Sequence, residues 1–354
     1  MLSRAHANPR VDATEGATQL RGFFYPLAQS RLLGHEPLER SLAGQRIALY
    51  RDASGRAHAI DARCPHRGAN LADGRVVDGC LVCPYHGWRF ASDGRCVQVP
   101  SHPDRPIPAR STARTFPVVE QQGLIWARLD SDSAAPMPPR FAIADNSAYR
   151  SFIVEARYPG PADWWMENFI DISHVPFVHQ RTFGGSRPAV STGPVERRAD
   201  ELGFSAQVQV RYEYGLLARL FHGTIRPYTE DAHFDMTVPA TVYLQNDMGQ
   251  GRRQEIALFA TPEDSNTTRV ILVVWRNYLK WVPMGDLLGQ IFTRVVLNED
   301  RKIAQRSVST LQHPEQAVMA ADGPAQELIR LLRLWRERER ERCGSAAQLQ
   351  AQAG

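Results

Sequence analysis

Two short loops place the strongest constraint on what this 354-residue chain can become. They read Cys64-Pro65-His66-Arg67-Gly68 and Cys83-Pro84-Tyr85-His86-Gly87-Trp88, with sixteen residues between His66 and Cys83. Two thiolates and two imidazoles on paired turns form a metal-ligand set. Such a set can bind one zinc ion tetrahedrally. It can also bind a two-iron, two-sulfur cluster, with thiolates on one iron and imidazoles on the other. The loop chemistry favours the cluster. The Pro and Gly residues make tight turns whose backbone N–H groups can point at sulfides, and Trp88 can shield them. A zinc finger would carry its second His on a helix, whereas Gly87 runs into strand-like Trp88-Arg89-Phe90. Cys80 and Cys96 fall outside the pattern and read as small buried apolar residues; Cys343, in a polar tail, reads as a spare thiol. Five cysteines are too few and too uneven for a disulfide framework.

A second constellation lies in Glu167-Asn168-Phe169-Ile170-Asp171-Ile172-Ser173-His174-Val175-Pro176-Phe177-Val178-His179. An iron site with two histidines and one carboxylate needs neutral nitrogens, one hard anionic oxygen and open positions. At roughly 100° per residue in a helix, Asp171 and His174 share a face, but His174 and His179 sit about 140° apart. Pro176 addresses the mismatch. It disfavours helical geometry at Val175 and lacks an N–H, so the helix is expected to bend or restart there. The bland alternative is a helix whose polar residues cap or line a core.

Length suggests two domains at roughly 150 residues each. The longest apolar run, Val270 to Trp275, is far below the roughly 18 residues of a membrane helix. Met1 to Leu20 has no hydrophobic signal core, so a soluble, cytoplasmic protein is expected. The formal charge of +4 and pI near 8.9 are mildly basic. No basic block with interleaved aromatics argues for nucleic acid, and a basic face could receive an acidic redox partner. Arg46 to Tyr50, Ala57 to Ile60, Val97 to Val99 and Gly123 to Arg128 read as short strands between Gly, Asp and Pro turns, hence an antiparallel β domain.

The two loops resemble the Rieske signature, and Glu167 to His179 resembles the mononuclear iron helix of Rieske non-heme iron oxygenase α subunits, the ring-hydroxylating family. The resemblance covers the chain from about Phe23 to Ser307. It implies an α+β protein: an N-terminal all-β Rieske [2Fe-2S] domain, then an α+β catalytic domain with mononuclear Fe(2+) and an antiparallel sheet covered by helices. It further implies that Cys64, His66, Cys83 and His86 bind the cluster and that His174 and His179 bind the iron. Asp171 matches the family's bridging aspartate, and Asn168 the asparagine beside it.

Expected bounds are an N-terminal extension over 1–21, the Rieske domain over 22–130, a Pro-rich link over 131–140, the catalytic domain over 141–343 and a polar tail over 344–354. Phe152 to Tyr158, Phe204 to Tyr214, His233 to Leu244, Glu255 to Ala260 and Thr267 to Tyr278 are strand candidates, fitting a sheet covered by the iron helix. Phe183 to Pro194 and Leu216 to Thr224 read as pocket loops. Ala325 to Arg342 reads as a helix ending in a solvated Arg/Glu face, followed by a frayed tail.

The third iron ligand is expected on a helix spanning Asp286 to Ser307. Asp300 shares the stripe of Val296, Leu297, Ile303 and Ala304. Glu299 lies on the stripe of Phe292, Val295 and Lys302 and could pair with Lys302. The family's carboxylate ligand comes from a late helix of this type, which selects Asp300 over Glu299. In the family, electrons cross a subunit interface in a head-to-tail trimer, and Asp171 would link His174 to a neighbour's His86. The chain lacks flavin and nicotinamide fingerprints, so a separate reductase or ferredoxin is expected. Trp164, Trp165, Met166, Phe169 and Phe177 suggest a pocket for an apolar or aromatic organic substrate oxidised with O2. A pure electron-transfer Rieske protein is the alternative.

Overall fold

The structure, a computed structural model, describes residues 20–131, 136–180, 182, 190–212, 228–249, 251–307, 309 and 322–353. The first part is all β. Strands β1 (Tyr25–Gln29), β10 (Val118–Gln121) and β11 (Leu124–Ala127) form one sheet in the order β1-β11-β10. Strands β2 (Leu38–Leu42), β3 (Gln45–Arg51), β4 (Ala57–Asp61) and β9 (Thr115–Phe116) form a second in that order. Strands β5 (Arg75–Val77), β6 (Cys80–Val82), β7 (Arg89–Phe90) and β8 (Cys96–Gln98) make a small third sheet. Every pairing is antiparallel. Cys96 is buried and Cys80 half-buried; the Cys343 side chain lies outside the described residues.

The second part is one large antiparallel sheet. Its strands are β12 (Arg150–Pro159), β13 (Val190–Thr192), β14 (Glu196–Arg197), β15 (Gly203–Tyr212), β16 (Tyr228–Thr237), β17 (Thr241–Asp247), β18 (Arg253–Pro262) and β19 (Thr267–Arg276). The order is β12-β19-β18-β17-β16-β15-β13, with β14 also on β15. The stretch His233 to Leu244, expected as one strand, is the hairpin of β16 and β17. Pro239, which has no N–H for a ladder, stands between them.

The apolar run at Val270 to Trp275 is explained by burial on both faces of β19. Ile271, Val273 and Trp275 pack with Trp126, Phe141 and Phe259, joining the sheet to the first domain. Leu272 and Val274 point to the other face, into the core shared with the helices. Among the described residues, helices α1 (Ala162–Ile170), α2 (Val175–Val178), α3 (Gly285–Ala304) and α4 (Gly323–Ala353) flank the sheet.

Two expectations about the helices need correction. The Arg/Glu run on α4 is not a solvated face throughout: Arg336 donates to both oxygens of Asp163, at 2.7 and 2.9 Å, and Glu339 accepts from the Gly22 N–H. These contacts pull it onto α1 and the start of the β domain. The helix also continues to Ala353 through the segment read as a frayed tail. The expected pocket loop Leu216 to Thr224 lies outside the described residues, as do residues 183–189 of the other.

Candidate metal centres and substrate pocket

The two Cys/His loops fold alike. In each, the N–H of the glycine donates to the cysteine carbonyl, Gly68 to Cys64 at 2.9 Å and Gly87 to Cys83 at 3.1 Å. That closure needs the left-handed conformation these glycines adopt, with φ of +72° and +69°. The cysteine N–H groups donate onward to Ala69 and Trp88 carbonyls, each at 2.9 Å. Both thiols are consequently buried while both imidazoles are exposed. His66 stacks flat on Trp88 with centroids 4.4 Å apart, and its ring lies 4.6 Å from that of His86. Burial pushes the Cys64 thiol up to about 11, with Cys83 beside it adding to the rise, while the N–H groups of His66 and Arg67 turned toward the sulfur oppose it. Such a thiol ionises readily only against a cation, as a cluster iron would supply. His86 sits in a turn leading into β7 rather than on a helix, which disfavours the zinc finger arrangement.

The iron segment breaks earlier than expected. Helix α1 ends at Ile170, and Asp171 is already extended, with φ −80° and ψ 103°. Asp171 Oδ1 accepts from the Ser173 N–H at 2.8 Å, a local turn that competes with the helix. Helix α2 restarts after His174 with Pro176 in its first turn, where a missing N–H costs nothing. Pro176 therefore restarts the helix; the break itself belongs to residues 171–174.

This geometry turns both imidazoles to one point. His174 Nε2 and His179 Nε2 lie 3.2 Å apart, and Asp300 Oδ1, from α3, lies 3.5 and 3.2 Å from them. A triangle of that size suits an ion about 2 Å from each corner, an ordinary metal–nitrogen and metal–oxygen length. Among the described residues, this is the only set of three or more His, Cys, Asp or Glu groups whose ligand atoms all lie within 4.8 Å of one another. The wider spread of the Cys/His loops suits two irons better than one ion. Asp300 is 4 % exposed, yet its Oδ1 has no hydrogen-bond partner. Buried polar atoms are rarely left so. A cation among these three groups would satisfy it.

Glu299 is not paired with Lys302. Its Oε2 lies 2.9 Å from His179 Nδ1 and 2.9 Å from the Thr182 hydroxyl. It thus holds the far side of the imidazole and fixes which nitrogen faces Asp300. Burial lowers the His179 pKa, but Asp300 and Glu299 outweigh it and raise the pKa overall. Adjacent carboxylates about 100° apart on a helix can take one face and one flank of the same imidazole; that was the readable signal. Glu299→Ala is expected to weaken metal binding about 10–100-fold, and Glu299→Gln, which keeps an acceptor, less so. Titration of metal-free protein with Fe(II) checks both.

Asp171 Oδ2 lies 3.7 Å from His174 Nδ1, a nitrogen with no hydrogen-bond partner, and the Asp171 side chain is 40 % exposed. Burial raises its pKa, while His174 and Ser173 lower it by more. Asn168 lines the same cavity as the triad.

That cavity, of 230 Å³, is not walled as expected. Trp164, Trp165 and Met166 are core residues turned away from it, and Phe177 is 69 % exposed. Only Phe169 of that group lines the cavity, with Phe234, Leu244, Ile256, Leu272 and Phe292 among its apolar neighbours. On α3, Gly289, Phe292, Val296 and Asp300 face inward, while Leu287, Ile291, Val295 and Ile303 are exposed.

Fold and sites together define a Rieske-type protein with a second, mononuclear metal centre. Residues 23–117 match the Rieske [2Fe-2S] domain, and residues 160–338 match the vanillate O-demethylase oxygenase C-terminal domain. The chain belongs to the Rieske oxygenase α-subunit family, whose members hold a Rieske cluster and mononuclear iron. It is 28% identical to methylxanthine N3-demethylase NdmB of Pseudomonas putida over 82% of both chains. It is 33% identical to aminopyrrolnitrin oxygenase PrnD of Pseudomonas fluorescens over 47% of this chain and 48% of that protein. The chain spans less than half the length of PrnD, and 30% of protein TIC 55 of Arabidopsis thaliana. Among solved structures, dicamba monooxygenase bound to dicamba matches with a TM-score of 0.79 at 23% identity, covering 92% of this chain and all of that one. NdmA of Pseudomonas putida, as a variant with caffeine, matches with 0.76 at 26% identity, covering 91% and 92%.

Proposed function

We propose that this chain is the oxygenase component of a Rieske system, oxidising an apolar or aromatic small molecule with O2. The observation that carries the proposal is a His174–His179–Asp300 triad, with His179 and Asp300 buried and His174 half-buried, opening into an apolar cavity in the same chain as the Cys/His loops. Cys64, Cys83, His66 and His86 would hold the cluster, and His174, His179 and Asp300 the iron. When bound, the cluster stores one electron and the ferrous ion supplies a second for chemistry with O2. An electron-transfer protein alone would need neither the triad nor the cavity.

The chain's own residues set the conditions for that chemistry. Asp300 supplies the one anionic ligand oxygen; Glu299 fixes the His179 ring; the apolar walls exclude water from the triad. The electron donor is a separate reductase or ferredoxin, and the assembly is a head-to-tail homotrimer in the cytoplasm. Exposed His66 and His86 support the docking of a neighbour, because a buried imidazole could meet no partner. Asp171, half-exposed beside the unpaired Nδ1 of His174, is the group to receive the neighbour's His86. Monohydroxylation, dihydroxylation and demethylation all remain compatible with this site. Oxygen uptake and product mass across a substrate panel, with a generic reductase supplied, tests the proposal. Reductase-dependent product supports it; a cluster that cycles with no product from any substrate overturns it.

Asp171→Asn separates a bridge from a ligand. The amide keeps one acceptor but presents an N–H to a partner that also donates, leaving a hydrogen bond lost or reversed at about 1–3 kcal/mol. Cluster and iron contents should stay at the unmodified level, while cluster reoxidation on mixing reduced, substrate-loaded protein with O2 slows sharply. An unchanged rate would show that Asp171 does not couple the two centres.

A further inference from the structure

The register of the large sheet sorts the cavity wall by chemistry. On the face toward the helices, Phe234, Leu244, Ile256 and Val274 are successive cross-strand partners and form one apolar row. Leu258 and Leu272 continue the wall one row further. On the other side, the next row is Ala232, Asn246, Gln254 and Arg276, and it changes character abruptly. Residues two apart on a strand share a face, so a polar row interrupting an apolar face is a specific feature. It is not sheet-edge solvation, because the Asn246 Oδ1 is buried and has no hydrogen-bond partner. Beside it, Gln254 Nε2 donates to the Tyr278 hydroxyl at 3.0 Å, and Tyr278 also lines the cavity.

The row and the triad occupy opposite ends. Asp286, at the start of α3, accepts from Arg276 of the polar row at 2.7 Å, whereas Asp300 faces the histidines. Those two positions are about four turns, and about 20 Å, apart along the helix. Across the sheet, the apolar span from Gln254 to Leu258 is about 13 Å. Charge narrows the ligand further. Arg276 is the only lysine or arginine lining the cavity among the described residues, and its guanidinium is engaged by Asp286 and by the Tyr278 carbonyl. A carboxylate arriving at this end would have to compete with Asp286, which Arg276 and Arg150 both hold, for the Arg276 guanidinium. It would also lose its hydration, which is costly for an unpaired charge. An amide, lactam or similar neutral group would instead find an amide at Asn246, which can turn to donate or accept, and the Gln254–Tyr278 pair.

We infer that the cavity takes an elongated, mainly apolar and uncharged molecule, its oxidisable end at the triad and a neutral amide-like group at Asn246. The inference rests on the oxygenase reading for the role of the triad, but not for the polarity of the far end. The test measures equilibrium binding of three matched probes to the iron-loaded protein: 4′-methoxybiphenyl-4-carboxamide, the corresponding carboxylate, and 4-methoxybiphenyl. The carboxamide is expected to bind at least about tenfold more tightly than either of the others, because a site built for hydrogen bonds rejects both the charge and the missing group. Asn246→Leu should erase that preference, with unchanged iron binding at the triad reporting an intact second domain. Equal or tighter binding of the carboxylate, no binding of the carboxamide, or a preference that survives Asn246→Leu would overturn the inference. Oxygen uptake keeps the two readings apart. Preferred carboxamide binding without reductase-dependent oxygen uptake would leave the polar subsite standing and remove the oxygenase reading. A carboxylate that is preferred and oxidised would do the opposite.

Discussion

Asp300→Ala should strip the mononuclear iron and abolish product formation while leaving the cluster in place. The triad offers two neutral imidazoles and a single carboxylate oxygen, and among the described residues Asp300 is the anion placed within 3.2–3.5 Å of both ring nitrogens. Hard ferrous ion depends on that oxygen. The expectation is distinctive because the fold should not suffer. In metal-free protein the buried Asp300 Oδ1 has no hydrogen-bond partner, a cost of roughly 1–3 kcal/mol, but its charge lies 3.2 Å from His179 Nε2 and offsets part of that cost. Metal-free Asp300→Ala should therefore melt close to the temperature of metal-free parent protein. Iron analysis and calorimetry on the same preparations check both halves. If Glu299→Ala empties the site while Asp300→Ala fills normally, Glu299 is the ligand instead.

Glu155→Ala should cause the largest loss of stability. Glu155 lies on β12, and its Oε1 receives Arg40 of β2 at 3.1 Å and Arg269 of β19 at 2.8 Å. Gln29 of β1 donates to Oε2 from both its side chain and its backbone, at 3.3 and 3.4 Å. All three charged side chains are nearly buried, at 6–12 % exposure. Removing the carboxylate would strand two guanidiniums between the β domain and the large sheet, although Arg269 retains Glu263. Truncating one partner of a buried ion network costs on the order of 3–5 kcal/mol. Glu155→Gln, which keeps acceptors but not charge, should fall between the two. Urea unfolding followed by tryptophan fluorescence measures the difference; a shift below about 1 kcal/mol, the range of exposed pairs, would show that the network is solvated.

The sequence spoke most clearly where chemistry demands rare residue types. The Cys-Pro and Gly positions of the loops define turns that few other residues can make. Among the strands of the large sheet, β12, β15, β18 and β19 were readable as such. It failed at His233 to Leu244 because residues flanking Pro239 are as strand-like as those within β16 and β17. The helix break was placed at Pro176 by weighing a missing N–H against helix continuity, whereas Asp171 ends α1 first by capping Ser173. The pocket was misread for a different reason. Trp164 and Trp165 are as apolar as pocket residues, and only packing shows that they fill the core. The actual walls come from strands distant in sequence and joined by register. Glu299 was misassigned to Lys302 because helical stripes describe one helix and not the imidazole packed across it. Likewise the Arg336–Asp163 pair joins α4 to α1 over a separation that no local pattern reports.

Iron and sulfide analysis with low-temperature electron resonance of dithionite-reduced, anaerobically purified protein tests the two-centre account most directly. About three irons and two sulfides per chain are expected, with the signal of a cluster ligated by both Cys and His. Asp300→Ala should drop the iron to about two and leave that signal intact, whereas His86→Ala should abolish or strongly shift it. A colourless protein that holds zinc and gives no signal after reduction would contradict the account.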